Sequence, residues 1–375
     1  MGGTYRKVGK MESEHFSPML DLFYTDLIKI IYGCLLEGSQ ATNRIKTELY
    51  KLNVYGAHSI FIHLQLIPCC YPGKGSFFKS HLNTPRTEKM FGSLVIVFPT
   101  PHEGGALILR HHGHEWIFDS GKELAQGQPS IGYVAFFSDV EHEVAPVTSG
   151  HRITLTYNLY FDDSGPVSAN HAVSGHLALP QPENEGAFRD AFLALLENPE
   201  FLADGGTLAF GLRNVYPIKN DIKHVYSILK GSDAVVYRGA RALGFEPTLY
   251  VFYEAMEESW SEGVIIDRVI DFHDIYVDDD LDDLFCTIDK EGGLFVNGED
   301  GSREITDWGA VPEQLAWVTP RLPVNRQKDS CPSLYGGWLT WNVCLVVCIG
   351  MAGERLVYPT VAELNRRNRV NWEGT

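Results

Sequence analysis

The sequence has 375 residues, with 31 Lys and Arg against 48 Asp and Glu, which gives a formal net charge of −17. This length allows about two domains, and a content of 44% hydrophobic and 12% aromatic residues is enough to build buried cores. The composition excludes a largely disordered chain and a collagen-like repeat. The acidic balance argues against a general nucleic-acid binder, because phosphate contacts need clustered Lys and Arg.

Seven cysteines are spread along the chain, and none forms a Cys-x-x-Cys pair. Neither a disulfide scaffold nor a zinc ribbon is therefore predicted. The basic N-terminal segment has no apolar run behind it, which argues against a signal peptide. The longest apolar stretches, at 60–71 and 341–351, are too short to span a bilayer. We therefore expect a soluble intracellular protein, cytoplasmic or nuclear, with no membrane and no nucleic acid among its partners.

Residues 19–52 carry apolar side chains at helical spacing in two groups, with Gly38 as a breaker between them. This pattern predicts two amphipathic helices, the second over the group that contains Ile45, Leu49 and Leu52. Four short β-rich runs bounded by turn-forming residues follow, at 94–98, 106–109, 131–137 and 153–160. Several short strands without intervening helices favour a β-sandwich, a barrel or a jelly roll.

The last of these runs alternates in polarity. Its odd-numbered residues from Ile153 to Leu159 are apolar, whereas Thr154, Thr156 and Asn158 are polar. Successive side chains of a strand point to opposite faces, so one face of this strand is apolar and the other is polar. Such a strand fits a barrel wall with a polar interior.

The second half of the chain begins after a polar, non-periodic segment at 162–175, which is the best domain boundary. The pattern beyond it predicts a helix over 183–202, one or two helices over 222–244, and strands at 248–253 and 263–270. This half is therefore expected to be α+β. The acidic run at 278–283 is expected to be a solvated loop, with calcium binding as the alternative.

Three stretches carry the most informative pattern: GSFFKSHLNTPRTEKMFGSL, HEGGALILRHHG and YVAFFSDVEHEVAPVTSGHRITLTYNL. Their order and content resemble the iron(II)- and 2-oxoglutarate-dependent dioxygenases, in particular the prolyl 4-hydroxylase-like branch found as larger, two-domain fungal proteins. In that family a His-x-Asp pair precedes a distal histidine, and a basic residue follows about ten positions later. Here His81 opens the pair, His142 is the distal histidine, and Arg152 is the basic residue.

The resemblance implies an iron(II) site with His81, Asn83 and His142 as ligands. Residues i and i+2 of a strand point to the same face, so the first two can reach into one cavity. A histidine from a neighbouring strand completes a facial set of three ligands and leaves three positions open for 2-oxoglutarate and dioxygen. The resemblance also implies ascorbate, which keeps the iron reduced.

The resemblance further implies that Arg152 and Thr154 hold the distal carboxylate of 2-oxoglutarate. An arginine fork donates two hydrogen bonds to a carboxylate, and a threonine on the same strand face can donate one more. In the family a tyrosine shortly before the histidine pair also contacts this carboxylate, and both Tyr55 and Tyr71 are candidates. Arg86 is a candidate for the substrate cleft, with a structural salt bridge as the alternative.

The sequence RHHGHE offers a rival metal site in His111, His112 and His114. Gly113 interrupts this cluster and favours a surface hairpin instead. The preceding residues 103–105, Glu-Gly-Gly, are expected to form a tight connection between strands. Their glycines are needed for backbone geometry rather than phosphate binding, since no helix follows them.

Position 83 departs from the family pattern, because it holds Asn where the family has a metal-binding Asp. A neutral amide oxygen is a weaker ligand for a divalent cation than a carboxylate, so the affinity for iron should fall. Two outcomes follow: a weak iron site that keeps some activity, or a degenerate barrel without turnover. A missing carboxylate also admits another anion, as in halogenating relatives, but nothing else in the sequence indicates halogenation.

A second departure is the segment AHSIFIHLQLIPCCYPG at 57–73. It separates two stretches that would be nearly contiguous in the family, and it matches neither strand period nor turn chemistry. One hypothesis is a retained intron translated in frame. Transcripts that lack the segment would confirm this hypothesis, and its presence in all transcripts would refute it.

The sequence therefore predicts a mainly β protein with flanking helices. A helical segment covers 1–48, a double-stranded β-helix (jelly roll) dioxygenase domain covers 49–163 and carries the insertion at 57–73, and an α+β domain covers 164–375. The expected reaction hydroxylates a C–H bond of a prolyl or other residue in a protein or peptide, with succinate and CO2 as co-products. The alternatives are a catalytically impaired jelly-roll scaffold, because of Asn83, and a small-molecule hydroxylase.

Overall fold

The computed structural model divides the chain into two compact units, Met1–Gln181 and Pro182–Thr375. It describes residues 6–22, 25–36, 44–56, 75–83, 87, 89–125, 130–162, 183–218, 221–255, 262–270, 288, 290–297, 314–320, 331–332 and 338–356. The regular secondary structure of these residues is mostly β, as the sequence predicts. The acidic run at 278–283 and the segment 57–73 lie outside the described residues.

The first unit contains two sheets, whose described strands all pair antiparallel. The strands are β1 (Arg6–Lys7), β2 (Gly9–Glu12), β3 (Arg44–Gly56), β4 (Phe77–His81), β5 (Met90–Val97), β6 (His102–Gly104), β7 (Leu107–His111), β8 (His114–Phe118), β9 (Gly132–Phe137), β10 (Glu141–Val144) and β11 (Val147–Asp162). One sheet has the order β1-β4-β10-β7-β8. The other has the order β2-β3-β11-β5-β9, with β6 also paired to β11.

Three helical segments accompany these strands in the described residues: a 3-10 turn (Ser13–His15), α1 (Leu27–Leu35) and α2 (Ser120–Glu123). The first predicted amphipathic helix forms as α1, but only from Leu27 onwards. The four predicted β-rich runs are confirmed as β5, β7, β9 and β11. Leu155, Tyr157 and Leu159 are buried on one face of β11, as the alternation of that strand predicts.

The predicted second helix is wrong, because its residues form β3. A β-bulge explains the misleading spacing: Thr156 of β11 pairs with Lys51 and Tyr157 pairs with Leu49, so Tyr50 has no partner on β11. Directly paired residues share a sheet face, and the extra residue brings Ile45, Leu49 and Leu52 onto the apolar face of β11's odd-numbered residues. The helix-like spacing of Ile45, Leu49 and Leu52, four and then three residues apart, is therefore produced here by a bulged strand.

The described strands of the second unit form one sheet, and helices occur between some of them along the chain. Among the described residues its strands are β12 (Gly206–Gly211), β13 (Thr248–Ala255), β14 (Glu262–Ile266), β15 (Leu294–Asn297), β16 (Leu315–Thr319), β17 (Cys331–Pro332) and β18 (Trp338–Ile349), and its helices include α3 (Glu183–Glu197), a 3-10 segment (Lys223–Ser227) and α4 (Gly231–Ala242). The sheet order is β15-β14-β13-β18-β12-β16, with β17 on β18. The predicted helices and strands of this half are confirmed. None of the helices in the described part of the chain has the length and apolar character needed to cross a membrane.

Candidate functional site

A cavity of about 350 Å³ lies in the first unit and is lined by side chains from both of its sheets. It brings together every predicted site residue that the structure describes: His81, Asn83, His142, Arg152, Thr154 and Tyr55. Tyr71 and Arg86 lie outside the described residues. The inward face of β11 supplies Arg152, Thr154, Thr156 and Asn158, which confirms the polar interior expected from the alternation of that strand.

His81 and His142 face each other as directly paired residues of β4 and β10. Their ring centroids are 4.1 Å apart, with a tilt of 50° between the rings. Nδ1 of His81 lies 3.0 Å from the carbonyl oxygen of Lys79, and Nδ1 of His142 lies 3.2 Å from that of Val140. A carbonyl only accepts hydrogen bonds, so each neutral ring carries its proton on Nδ1 and its lone pair on Nε2.

His142 is buried, and its protonation is unfavourable. Burial is the main cause, and the neighbouring charge of His81 adds to it, so that the pKa of His142 falls from 6.5 to about 4. The ring is therefore neutral at pH 7. A neutral imidazole with an available lone pair is the form that ligates a metal ion.

Asn83 lies two residues beyond His81, just after the end of β4, and also lines the cavity. Its Nδ2 donates a hydrogen bond to Ser93 Oγ at 2.9 Å, which fixes the amide and leaves Oδ1 as its acceptor atom. Within the described residues, no group of three or more His, Cys, Asp or Glu is arranged to hold a metal ion. A donor set drawn from His81, Asn83 and His142 would therefore comprise two imidazole nitrogens and one amide oxygen, without a carboxylate.

Arg152 is 1% exposed and lies in the same cavity. Its Nε donates a hydrogen bond to Ser120 Oγ at 3.2 Å, and its guanidinium carbon lies 5.4 Å from the centroid of the Tyr55 ring. Its Nη2 is buried and has no hydrogen-bond partner among the described residues. Burial lowers the pKa of Arg152, but an arginine remains charged in proteins. A buried charge with an unsatisfied donor is costly unless an anion binds it, so this side chain fits a ligand carboxylate.

Ser120 is hydrogen-bonded to Arg152, and His102 is hydrogen-bonded to Ser120. The sequence analysis predicted neither residue. His102 Nδ1 lies 2.7 Å from the carbonyl oxygen of Thr100, and its Nε2 lies 3.0 Å from Ser120 Oγ. The Ser120 hydroxyl therefore donates to His102 and accepts from Arg152. Burial is the main factor that lowers the pKa of His102, which keeps Nε2 an acceptor. Ser120 precedes Arg152 by 32 residues, and no local pattern in the sequence links the two.

The Glu-Gly-Gly connection allows a close approach of backbone to Arg152. Gly104 and Gly105 have φ values of +72° and +71°, in the region that favours glycine. A Cβ atom at Gly105 would lie 2.8 Å from Val147 Cγ2 and 3.0 Å from Arg152 Cδ. The prediction that these glycines serve backbone geometry is confirmed.

The rival cluster forms the turn of a hairpin. His111 ends β7 and His114 begins β8, and the two residues pair across the turn. Gly113 adopts a φ of +80° between them. The predicted hairpin is confirmed, and this cluster holds no three-ligand metal group in the part of the chain that the structure describes.

No protein-family model matches the sequence, and no curated relative does. Solved structures with some similarity include a prolyl-4-hydroxylase from Pseudomonas putida, at 16% identity over 42% of this chain and 73% of the other, with a TM-score of 0.27. A 2OG-Fe(II) oxygenase family oxidoreductase from Burkholderia pseudomallei matches at 16% identity over 35% of this chain and 50% of the other, with a TM-score of 0.23.

A third similar structure is a prolyl hydroxylase from Trichoplax adhaerens in complex with a hypoxia inducible factor oxygen degradation domain peptide fragment. It matches at 20% identity over 32% of this chain and 46% of the other, with a TM-score of 0.21. This chain thus spans half or less of the second and third proteins.

Proposed function

We propose that the first unit is a double-stranded β-helix (jelly roll) that acts as an iron(II)- and 2-oxoglutarate-dependent dioxygenase. Its substrate would be a C–H bond of a prolyl or other residue in a protein or peptide, and its co-products would be succinate and CO2. The observation that carries this proposal is the unsatisfied, buried Nη2 of Arg152 in the cavity that also holds His81 and His142. An anion site beside a pair of imidazoles is what a metal-chelating dicarboxylate requires.

His81, Asn83 and His142, which all line this cavity, would hold the metal. When bound, iron(II) would supply the activation of dioxygen and the oxidative decarboxylation of 2-oxoglutarate. Both histidines present Nε2 because their Nδ1 protons are held by backbone carbonyls. These second hydrogen bonds orient a ligand ring and fix its tautomer.

Arg152 would bind the distal carboxylate of 2-oxoglutarate, with Thr154 on the same inward face as a further donor. Ser120 holds the guanidinium through Nε, so Nη2 is left for the ligand. Phe136, Val95 and Leu107 contribute apolar walls to the cavity. Such walls exclude water from the reacting groups and strengthen the interaction of Arg152 with a carboxylate.

A second candidate function is a binding or scaffold protein that has lost turnover. The observation that favours it is the lack of any carboxylate in the donor set, since Asn83 supplies an amide oxygen and no three-ligand group of His, Cys, Asp or Glu exists among the described residues. Affinity for iron should be lower than with Asp at this position. The dioxygenase predicts succinate formation by the unmodified chain, and the scaffold predicts none.

The test is succinate formation from 2-oxoglutarate with iron(II) and ascorbate, which needs no knowledge of the substrate. The unmodified protein is compared with Asn83→Asp and with His142→Ala. Asn53→Asp is the matched control, because Asn53 also lines the cavity but is bonded to Thr156 Oγ1 rather than placed beside the histidines.

Succinate above the His142→Ala background in the unmodified protein would support the dioxygenase. Succinate from Asn83→Asp alone would mean an intact pocket in a chain that no longer holds its metal, and would support the scaffold. No succinate from either protein, with no binding of 2-oxoglutarate, would refute the dioxygenase. The control Asn53→Asp should behave like the unmodified protein.

A further inference from the structure

The β-bulge in β3 places two neighbouring residues, Tyr50 and Lys51, in the lining of the same cavity. Neighbouring residues of a regular strand point to opposite faces. A bulge re-aims one of them, and bulges are frequent beside functional sites. Lys51 faces the cavity by the ordinary alternation of β3, together with Asn53 and Tyr55, and Tyr50 is the residue that the bulge adds. The Lys51 side chain is 12% exposed, and its Nζ donates a hydrogen bond to the Tyr50 hydroxyl.

The cavity is cationic although the chain is strongly acidic. The described residues that line it include Arg152 and Lys51 and no Asp or Glu, whereas the whole chain has a net charge of −17. Among the described residues, the carboxylate that contacts Lys51 is that of Glu12, which is not part of the cavity lining. Its Oε1 lies 4.0 Å from Lys51 Nζ and is bonded to Lys10 at 2.6 Å. The charge of Lys51 is therefore only weakly compensated.

Lys51 and Arg152 lie at different places along the same pair of strands. Lys51 pairs with Thr156, and Arg152 pairs with Tyr55. The backbone positions of the two residues are therefore four residues apart along β11, or about 13 Å at the usual rise per residue of a strand. A five-carbon dicarboxylate is much shorter than this separation, so one bound at Arg152 leaves Lys51 for another group.

We infer that Lys51 recognises an anionic group of the substrate, a carboxylate or a phosphate, at the end of the cavity opposite Arg152. This inference rests on the proposed function for the identity of the ligand at Arg152. Asn83 strengthens it, because an uncharged residue at this position leaves the metal site with one negative charge fewer. Recognition of a negative group inside the cavity contrasts with the net charge of −17 of the whole chain.

The test uses capped five-residue peptides that have a central proline and differ only in the residue before it: Glu, phosphoserine, Gln or Lys. Binding is measured by titration calorimetry at low salt to protein saturated with 2-oxoglutarate and manganese(II). The Glu and phosphoserine peptides should bind roughly tenfold more tightly than the Gln peptide, as expected for a charge-assisted hydrogen bond. The comparison of these two peptides distinguishes a carboxylate from a phosphate ligand.

Lys51→Gln should remove this preference, Lys51→Arg should retain it, and Lys51→Glu should reverse it in favour of the Lys peptide. Lys46→Gln is the matched control, because Lys46 is an exposed lysine of the same strand and its removal changes the net charge equally. Thermal denaturation of each variant checks that it folds. A preference that survives Lys51→Gln, or equal binding of all four peptides, would overturn the inference.

Two further binding measurements separate failure of this inference from failure of the proposed function. If no peptide binds, glutarate and inorganic phosphate are titrated alone into the metal-free protein, and anion binding that depends on Lys51 supports the inference while its absence overturns it. Binding of 2-oxoglutarate is measured first and should depend on Arg152 but not on Lys51. If the unmodified protein does not bind 2-oxoglutarate, the proposed function is contradicted. If it binds 2-oxoglutarate but shows no preference among the peptides, only the role of Lys51 is contradicted.

Discussion

Ser120 accepts a hydrogen bond from Arg152, with 3.2 Å between Oγ and Nε, and both side chains are buried. The same hydroxyl donates to His102 Nε2 at 3.0 Å. One serine therefore fixes the guanidinium plane of the cationic side chain that the proposed mechanism uses. A positioning role of this kind is distinct from contact with the ligand, and it can be tested separately.

Replacement of Ser120 by Ala should weaken binding of 2-oxoglutarate and lower the free energy of unfolding by about 1–3 kcal/mol, because Arg152 Nε loses its buried acceptor. Calorimetry measures the first effect, and urea denaturation measures the second. Ser138→Ala is the matched control, since the buried Ser138 hydroxyl has no hydrogen-bond partner among the described residues. Equal binding of 2-oxoglutarate by both variants would contradict the positioning role.

Gly105→Ala should disturb Arg152 through packing as well as backbone strain. Both Gly105 and Gly113 have positive φ values, but only at Gly105 would a Cβ contact Val147 and Arg152, whereas Gly113 has open space. Gly113→Ala should cost about 1–2 kcal/mol of stability from backbone strain alone. Gly105→Ala should cost more and should also weaken 2-oxoglutarate binding. Equal stability losses, with binding intact, would show that the contact with Arg152 is unimportant.

Stability should fall as the pH decreases from neutral, in part because of His142. Its pKa is about 4 in the folded protein against 6.5 for an ordinary histidine, so the unfolded chain binds more protons between these values. The stabilisation is complete above pH 6.5 and is lost towards pH 4, by about 3 kcal/mol in total. Urea denaturation between pH 7 and 4.5 should show a shallower dependence for His142→Gln. An unchanged dependence would contradict this assignment.

Arg355 should be important for the stability of the second unit. Its guanidinium nitrogens donate to five backbone carbonyls at distances of 2.7–3.1 Å. Four of these carbonyls lie at or just beyond the end of α3, in Leu196, Asn198, Phe201 and Leu202. The fifth belongs to Gly350. A cation at a helix C-terminus is favourable. Arg355→Ala should lower the free energy of unfolding of this unit by roughly 2–3 kcal/mol.

Arg355→Lys should recover only part of that loss, because an ammonium group has three donors and lacks the planar fork. Arg241→Ala is the matched control, since the half-exposed Arg241 contacts Glu246 at 3.8 Å and exposed ion pairs contribute little. Chemical denaturation, followed by a probe in the second unit, measures both variants. Equal effects of Arg355→Ala and Arg241→Ala would refute the role of Arg355.

The periodicity of the sequence predicts β11 and its two faces, because side-chain alternation is a local property of a strand. It also predicts the elements of the second half and the helix α1. The motif predicts that His81, His142 and Arg152 belong to one site, and these residues line one cavity. It also predicts that Asn83 is a weaker metal ligand than the Asp of the family pattern. These inferences depend on residue type and spacing, both of which are visible in the sequence.

Tertiary structure decides the features that depend on which strands pair. The bulge at Tyr50 converts a helix-like spacing into one face of β3, and only the partner strands β2 and β11 make the extended form favourable. The same bulge adds Tyr50 to the cavity lining beside Lys51. Ser120 joins Arg152 across 32 residues of sequence, and non-local contacts of this kind leave no periodic signal because their energy comes from packing and hydrogen bonding between distant segments.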